Sequence, residues 1–173
     1  MIRMGLTAIL LIFFLPSLAY PGEDRQHFAL GKNFAKAQQR EFAYMQFREI
    51  VLHAPGSPLR EAALFAIGEY FFSILDIRQA EEIFMQFLKE YPNSKNKIFV
   101  LGYLYKIANQ QNDLASTEKF KTDIITLQHV SFIFRNSKEY KYHSPLGTQH
   151  RAIIRINQIT IDSGGEILAE ISY

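Results

Sequence analysis

The chain has 173 residues, with 19 lysines and arginines against 17 aspartates and glutamates, so length points to one domain and a net charge of +2 gives no electrostatic case for nucleic acid. It has no cysteine, which excludes disulfides, thiolate metal sites, cysteine nucleophiles and an acylated N-terminal Cys. With 15 Phe and 9 Tyr it holds ample apolar material for a core.

Residues 1–19, MIRMGLTAILLIFFLPSLA, have the pattern of a secretory signal peptide. Arg3 supplies the positive end. Gly5–Leu15 is apolar but short for a bilayer span, and Pro16 breaks it. Ser17 and Ala19 are small residues three and one before a cut after Ala19. The expectation is an exported, periplasmic chain. The alternative is an uncleaved anchor, because apolar character continues to Gly22.

Two stretches, 24–57 and 61–94, repeat one pattern. Leu30-Gly31, Phe34, Ala43, Phe47 and Pro55 return 37 residues later as Ile67-Gly68, Phe71, Ala80, Phe84 and Pro92. Their internal spacing is that of a helix–turn–helix unit of about 34 residues, with extra residues in the linker around Gly56-Ser57-Pro58. Gly68 lets two helices lie close, Ala80 faces it, Phe84 fills the space between them, and Pro92 ends the second helix. Ser57 suits an N-cap with Pro58 at the first helical position. Asp76 suits a cap with Gln79 completing a capping box.

A third unit follows, with Leu101-Gly102 and Tyr105 at a step of 34 and Asn93 or Ser94 as cap. Its second half departs from the pattern. Leu114 stands where a small residue is expected and Glu118 where a Phe is expected; a two-residue insertion would align Ser116 and Phe120 instead. A closing helix over roughly 114–127 is expected, since terminal repeats are usually atypical.

After residue 129 the period changes to that of strands. VSFIF (130–134), EYKYH (139–143), RAIIRI (151–156) and EILAEIS (166–172) are rich in β-branched and aromatic residues. Asp162-Ser163-Gly164-Gly165-Glu166 is a hairpin turn. A three-residue loop, Ser163 to Gly165, sets Ile161 against Ile167 and Ile159 against Ala169; a two-residue loop sets Ile159 against Glu170. The expected architecture is mainly α, a tetratricopeptide solenoid of about three units with a small antiparallel β-rich C-terminal segment. Its divisions are a signal peptide (1–19), a helical repeat domain (20–128) and a β-rich segment (129–173) docked on the last helix.

Residues 24–109 resemble the tetratricopeptide proteins of the Gram-negative envelope. The stretch APGSPLREAALFAIGEYFFSILDIRQAEEIFMQFLKEYPNS is similar to the BamD family of outer-membrane assembly lipoproteins and to the Tol-associated periplasmic cell-division coordinators. Both families share the "YP-x-S" step between units and the "G-x-x-Y/F" pair. The resemblance implies a non-enzymatic envelope scaffold that binds a protein or peptide segment in a concave groove lined by the first helix of each unit. Counting from the glycines, the groove residues are Phe28 and Lys32; Phe65, Glu69 and Phe72; and Phe99, Tyr103 and Lys106. They form an aromatic ladder flanked by charge, suited to an extended peptide or a helix. The alternative is that these rings are core.

The tail carries Arg135, Lys138, Lys141, Arg151 and Arg155, which suit envelope lipid or anionic glycan, or a solvated sheet face. That leaves a second functional reading, a secreted glycan-binding or enzymatic module carried by the tail. His27, His53, His129, His143 and His150 show no metal-ligand spacing, and Glu81-Glu82 is a helical surface pair. No GxSxG, HExxH or phosphate loop is present, so neither enzyme, metal nor cofactor is expected. If the N-terminal reading holds, Edman sequencing of protein released from the periplasm starts at Tyr20; full-length chain recovered only with the inner membrane contradicts it.

Overall fold

A computed structural model describes residues 22–127 and 137–173. The expected signal peptide, the strand at 130–134, His129 and Arg135 lie outside the described residues. Six helices are described: α1 (Glu23–Lys36), α2 (Arg40–His53), α3 (Arg60–Ser73), α4 (Ile77–Glu90), α5 (Lys97–Gln110) and α6 (Leu114–Thr126). They pack as consecutive antiparallel pairs. Four strands follow as an antiparallel meander: β1 (Ser137–His143), β2 (Gln149–Arg155), β3 (Gln158–Ser163) and β4 (Glu166–Ser172).

The step between units is 37 residues throughout. It separates the first residues of α1, α3 and α5, and likewise those of α2, α4 and α6. The turn inside each pair repeats in detail: Gln38, Leu75 and Asn112 all adopt left-handed backbone, φ 60°, 62° and 56°. Asp76 and Asp113 follow two of these turns, and each accepts a backbone N–H of the next helix, from Gln79 (3.2 Å) and Ser116 (3.1 Å). The reciprocal half of a capping box is absent, because the Asp76 N–H donates to the Phe71 carbonyl instead.

The links between units also repeat. Helix α3 starts at Arg60, so Ser57 and Pro58 precede it rather than opening it. The Ser57 hydroxyl accepts the Leu59 N–H (3.1 Å) and donates to the Asp24 carboxylate (2.5 Å). That hydrogen bond holds the Asp24 carboxyl below its ordinary pKa. One step later Ser94 accepts the Asn96 N–H (2.9 Å) and donates to Glu61 (2.7 Å). Each serine thus ties the head of one first helix to the head of the next.

Glycine and phenylalanine interlock in the first two pairs as their spacing predicts. A Cβ at Gly31 would lie 2.6 Å from the Phe47 ring, and one at Gly68 would lie 2.5 Å from the Phe84 ring. The third unit is different, and the 34-residue alignment of Gly102 with Gly68 is corrected. The constant step places Tyr105 where Gly68 stands, and places Gly102 where Phe28 and Phe65 stand. A Cβ at Gly102 would meet no ring from α6; it would lie 2.9 Å from the Ile161 side chain in β3. Helix α6 accordingly buries Phe120 and Ile124, while Leu114 is 81% exposed and Glu118 faces water.

The hairpin β3–β4 also departs from expectation. Its loop has two residues, Gly164 and Gly165, at φ 58° and 90°, both in the left-handed region that the tight turn needs. A register shift at Ile161/Asp162 then inserts one residue into β4, so Ile161 faces Ala169 and Ile159 faces Ile171, while Ile167 lies opposite Asp162 and is exposed. The bulge resolves the conflict that a plain two-residue loop creates, in which Ile159 would oppose Glu170. It keeps Ile159, Ile161, Ala169 and Ile171 on one buried face.

That face packs on α5, not on the last helix α6. Helix α5 is apolar all round, with Ile98–Leu104, Ile107 and Ala108 buried, so it needs cover on every side. Ala152, Ile154, Ile159, Ile161, Leu168, Ala169 and Ile171 join it in one core with α3, α4 and α6. A smaller core at the other end gathers Ala35, Phe47, Ala63 and Ala66 with Leu146 from the β1–β2 turn. Phe84→Ala is expected to cost about 3–5 kcal/mol, and Gly68→Leu about 1–3 kcal/mol or more. A loss below about 1 kcal/mol for either in urea unfolding contradicts this packing of α3 on α4.

Candidate binding groove

The first helices α1, α3 and α5 share a face, and the C-terminal sheet lies over its α3–α5 portion. The expectation of an open groove there is corrected. Phe65 is 0% exposed, with its ring 5.0–6.3 Å from those of Phe84, Phe87, Tyr103, Tyr142 and His150. Phe99 is buried against Tyr142 and His150. Tyr103 stacks on Phe84 at 4.7 Å, and Phe72 meets it edge-on at 4.9 Å. Lys106 donates to Glu166 (2.5 Å) and to the Ile167 carbonyl (3.0 Å). Rings that read as a ladder for a guest are core because the chain's own sheet supplies the guest.

Beneath the sheet lies a polar cluster that the sequence reading did not assemble. Glu69, only 4% exposed, bonds His150 Nε2 (3.0 Å) and accepts from the Tyr103 hydroxyl (3.5 Å), which also bonds Ser163 Oγ (2.8 Å). The second Glu69 oxygen, His150 Nδ1 and the Tyr142 hydroxyl are buried without hydrogen-bond partners among the described residues. Burial pushes the Tyr103 hydroxyl well above its ordinary pKa, and the nearby Glu69 carboxylate adds to the effect. Burial and then Glu69 raise Tyr142 in the same way. Glu69, Tyr103 and Ser163 line a cleft of about 360 Å³ with Phe72, Leu75 and Ile77. Ser163 bonds the Tyr103 hydroxyl, and His150 lies across from it in the β2–β3 ladder. The cluster had a sequence signal: His150 and Ser163 occupy inward positions of strands otherwise apolar on that face, and Glu69 interrupts an apolar helix. Buried polar groups need partners, so each implied the others.

The groove face stays open at its α1 end. A cleft of about 1000 Å³ runs between α1 and the β1–β2 turn. One wall carries Phe28, Lys32 and Lys36, one helical turn apart, and then Arg40 at the head of α2. The other wall is the turn from His143 to Gln149, pinned by buried Leu146. Phe28 is half-buried, edge-on to Phe47 at 5.7 Å. Lys32, Lys36 and Arg40 are exposed, and among the described residues none of them has an ion pair or hydrogen bond.

The tail's own cations are arranged differently. Arg151 pairs with Asp162 (2.9 Å), Lys141 with Glu139 (3.2 Å), Arg155 bonds Gln158 (3.5 Å), and Lys138 lies over the Tyr140 ring (4.6 Å). His27 bonds Gln46 (2.8 Å) and His53 lies 3.4 Å from Glu49. Among the described residues no three His, Asp or Glu side chains gather as a metal site, and no helix is long and apolar enough to cross a membrane.

Compared with known proteins, the chain matches no family model and no curated protein.

The buried tyrosines give a pH dependence. The fold favours their neutral form, so their contribution is whole below pH of about 10, where unfolded tyrosines ionise, and drains away as pH rises beyond it. In an absorbance titration Tyr103 and Tyr142 are expected to ionise last, together with loss of the fold. Ionisation of every tyrosine near pH of about 10 with the fold intact contradicts their burial.

Proposed function

We propose that the chain is a tetratricopeptide-type scaffold of the bacterial envelope, exported by its N-terminal segment, and not an enzyme. It holds a segment of another protein in the part of the groove that its own sheet leaves open. The repeat class is supported by the constant 37-residue step and by the Gly31–Phe47 and Gly68–Phe84 interlocks. The observation that carries the binding reading is the open cleft along α1, which continues the face already occupied by a structured guest at α3 and α5. Of the groove residues expected from sequence, Phe28 and Lys32 keep a free side toward a partner, and Lys36 and Arg40 join them. The sheet then acts as a permanent filling of two units, leaving one for exchange. A glycan- or lipid-binding tail is less well supported, because Arg151 and Lys141 already face Asp162 and Glu139.

A photo-crosslinking residue placed at Lys36 in cells is expected to trap a discrete protein adduct, lost on Phe28→Asp. The same residue at Lys89, on the exposed side of α4, is expected to trap none. Equal adducts from both positions, or none from Lys36, would overturn the scaffold reading.

A further inference from the structure

The constant step makes Lys32, Glu69 and Lys106 the same position in three successive units. At two of them the occupant of the groove answers with a side chain of complementary chemistry. Glu69 of α3 meets His150 of β2 at 3.0 Å, and Lys106 of α5 meets Glu166 of β4 at 2.5 Å. At Lys32 of α1 the sheet presents no such group, and the cleft widens. The sheet is therefore an internal template for what is missing: at Lys106, the groove lysine that it covers, it supplies a carboxylate.

The rest of the cleft agrees. Lys32, Lys36 and Arg40 line it with His143, and no aspartate or glutamate does. Lys32 and Lys36 lie one helical turn apart, about 6 Å along the axis. Alternate side chains of an extended chain recur at about 6.6 Å, so an acid at every second position can address both lysines. Half-buried Phe28 supplies apolar surface at one end. Cations strung along a helix, with apolar contacts between walls, match a ribbon better than the compact sphere of a phosphate, which calls for donors converging on one point.

Resting on the scaffold reading, we propose that the open cleft selects an extended, acidic protein segment. One carboxylate of that segment bonds Lys32 as Glu166 bonds Lys106, and further carboxylates bond Lys36 and Arg40. Its apolar side chains lodge against Phe28 and the turn opposite.

The test uses the full exported chain and fluorescence anisotropy at fixed salt. The probes are a short peptide alternating glutamate with leucine, its glutamine counterpart, inorganic phosphate, and vesicles of phosphatidylglycerol. The glutamate peptide is expected to bind about tenfold or more tightly than the glutamine peptide, and Lys32→Glu to lose about as much. Lys32→Arg should keep binding, and Lys89→Glu, a control of equal charge change, should leave it alone. Lys32 is exposed, so these variants keep the fold, which circular dichroism checks. Equal affinity for the two peptides, or capture of vesicles or phosphate but not the glutamate peptide, overturns the acidic-segment proposal. If crosslinking from Lys36 still traps a protein in that case, the scaffold reading survives and only the acid preference is lost. If no adduct forms and neither peptide binds, both fall.

Discussion

The groove face depends on one close approach, that of Ile161 in β3 to the backbone of α5 at Gly102. At the equivalent position the first two units carry Phe28 and Phe65, and over Phe65 the sheet rests on a ring through Tyr142 and His150 instead of on backbone. Glycine removes the side chain, so β3 sits down on the helix and brings its neighbours with it. Helix α5, apolar on all sides, gains its remaining cover, and Phe65 and Phe99 pass from groove to core. Interiors are close-packed, so even one added methyl group there forces a shift.

Seating the sheet so closely has a polar consequence. Glu69, Tyr103, His150, Ser163 and Tyr142 are drawn below it, some with atoms left unpaired among the described residues. Such groups weaken a purely apolar interface, since a buried polar atom without a partner costs about 1–3 kcal/mol. They also fix alignment, because Glu69 meets His150 only in one placement of sheet on helices. At the far end Leu146 anchors the β1–β2 turn while the walls stay apart. One sheet thus closes two units and frames the opening at the third.

Local chemistry was legible in the sequence where cause and effect lie close in the chain. The helix pairs, the Asp76 cap, the Gly31–Phe47 and Gly68–Phe84 contacts and the presence of a turn within 162–166, though not its length, all rest on short-range spacing. The register of the third unit was not legible, because Gly102 in its Leu-Gly context imitates Gly68 yet receives a side chain from 59 positions later in the chain. Groove and core could not be separated for Phe65, since the ring that covers it belongs to Tyr142. Repetition of type does not carry repetition of burial at Leu30. Ile67, one unit on, is buried, but Leu30 is 47% exposed because no described unit packs beyond α1. The hairpin register failed for a related reason: the bulge that corrects it is invisible to simple alternation.

The absence of cysteine allows a direct test of the seated sheet. A Cβ at Gly102 would lie 3.5 Å from that of Ile161, at the short end of the roughly 3.5–4.5 Å range that a disulfide spans. With Gly102→Cys and Ile161→Cys combined, mild oxidation of the dilute protein is expected to yield an intramolecular disulfide, seen as a loss of two hydrogens by mass spectrometry and a gel shift reversed by reductant. Thiols that stay reduced, or that pair only between molecules, while the helical spectrum is intact would show that the sheet does not rest on α5.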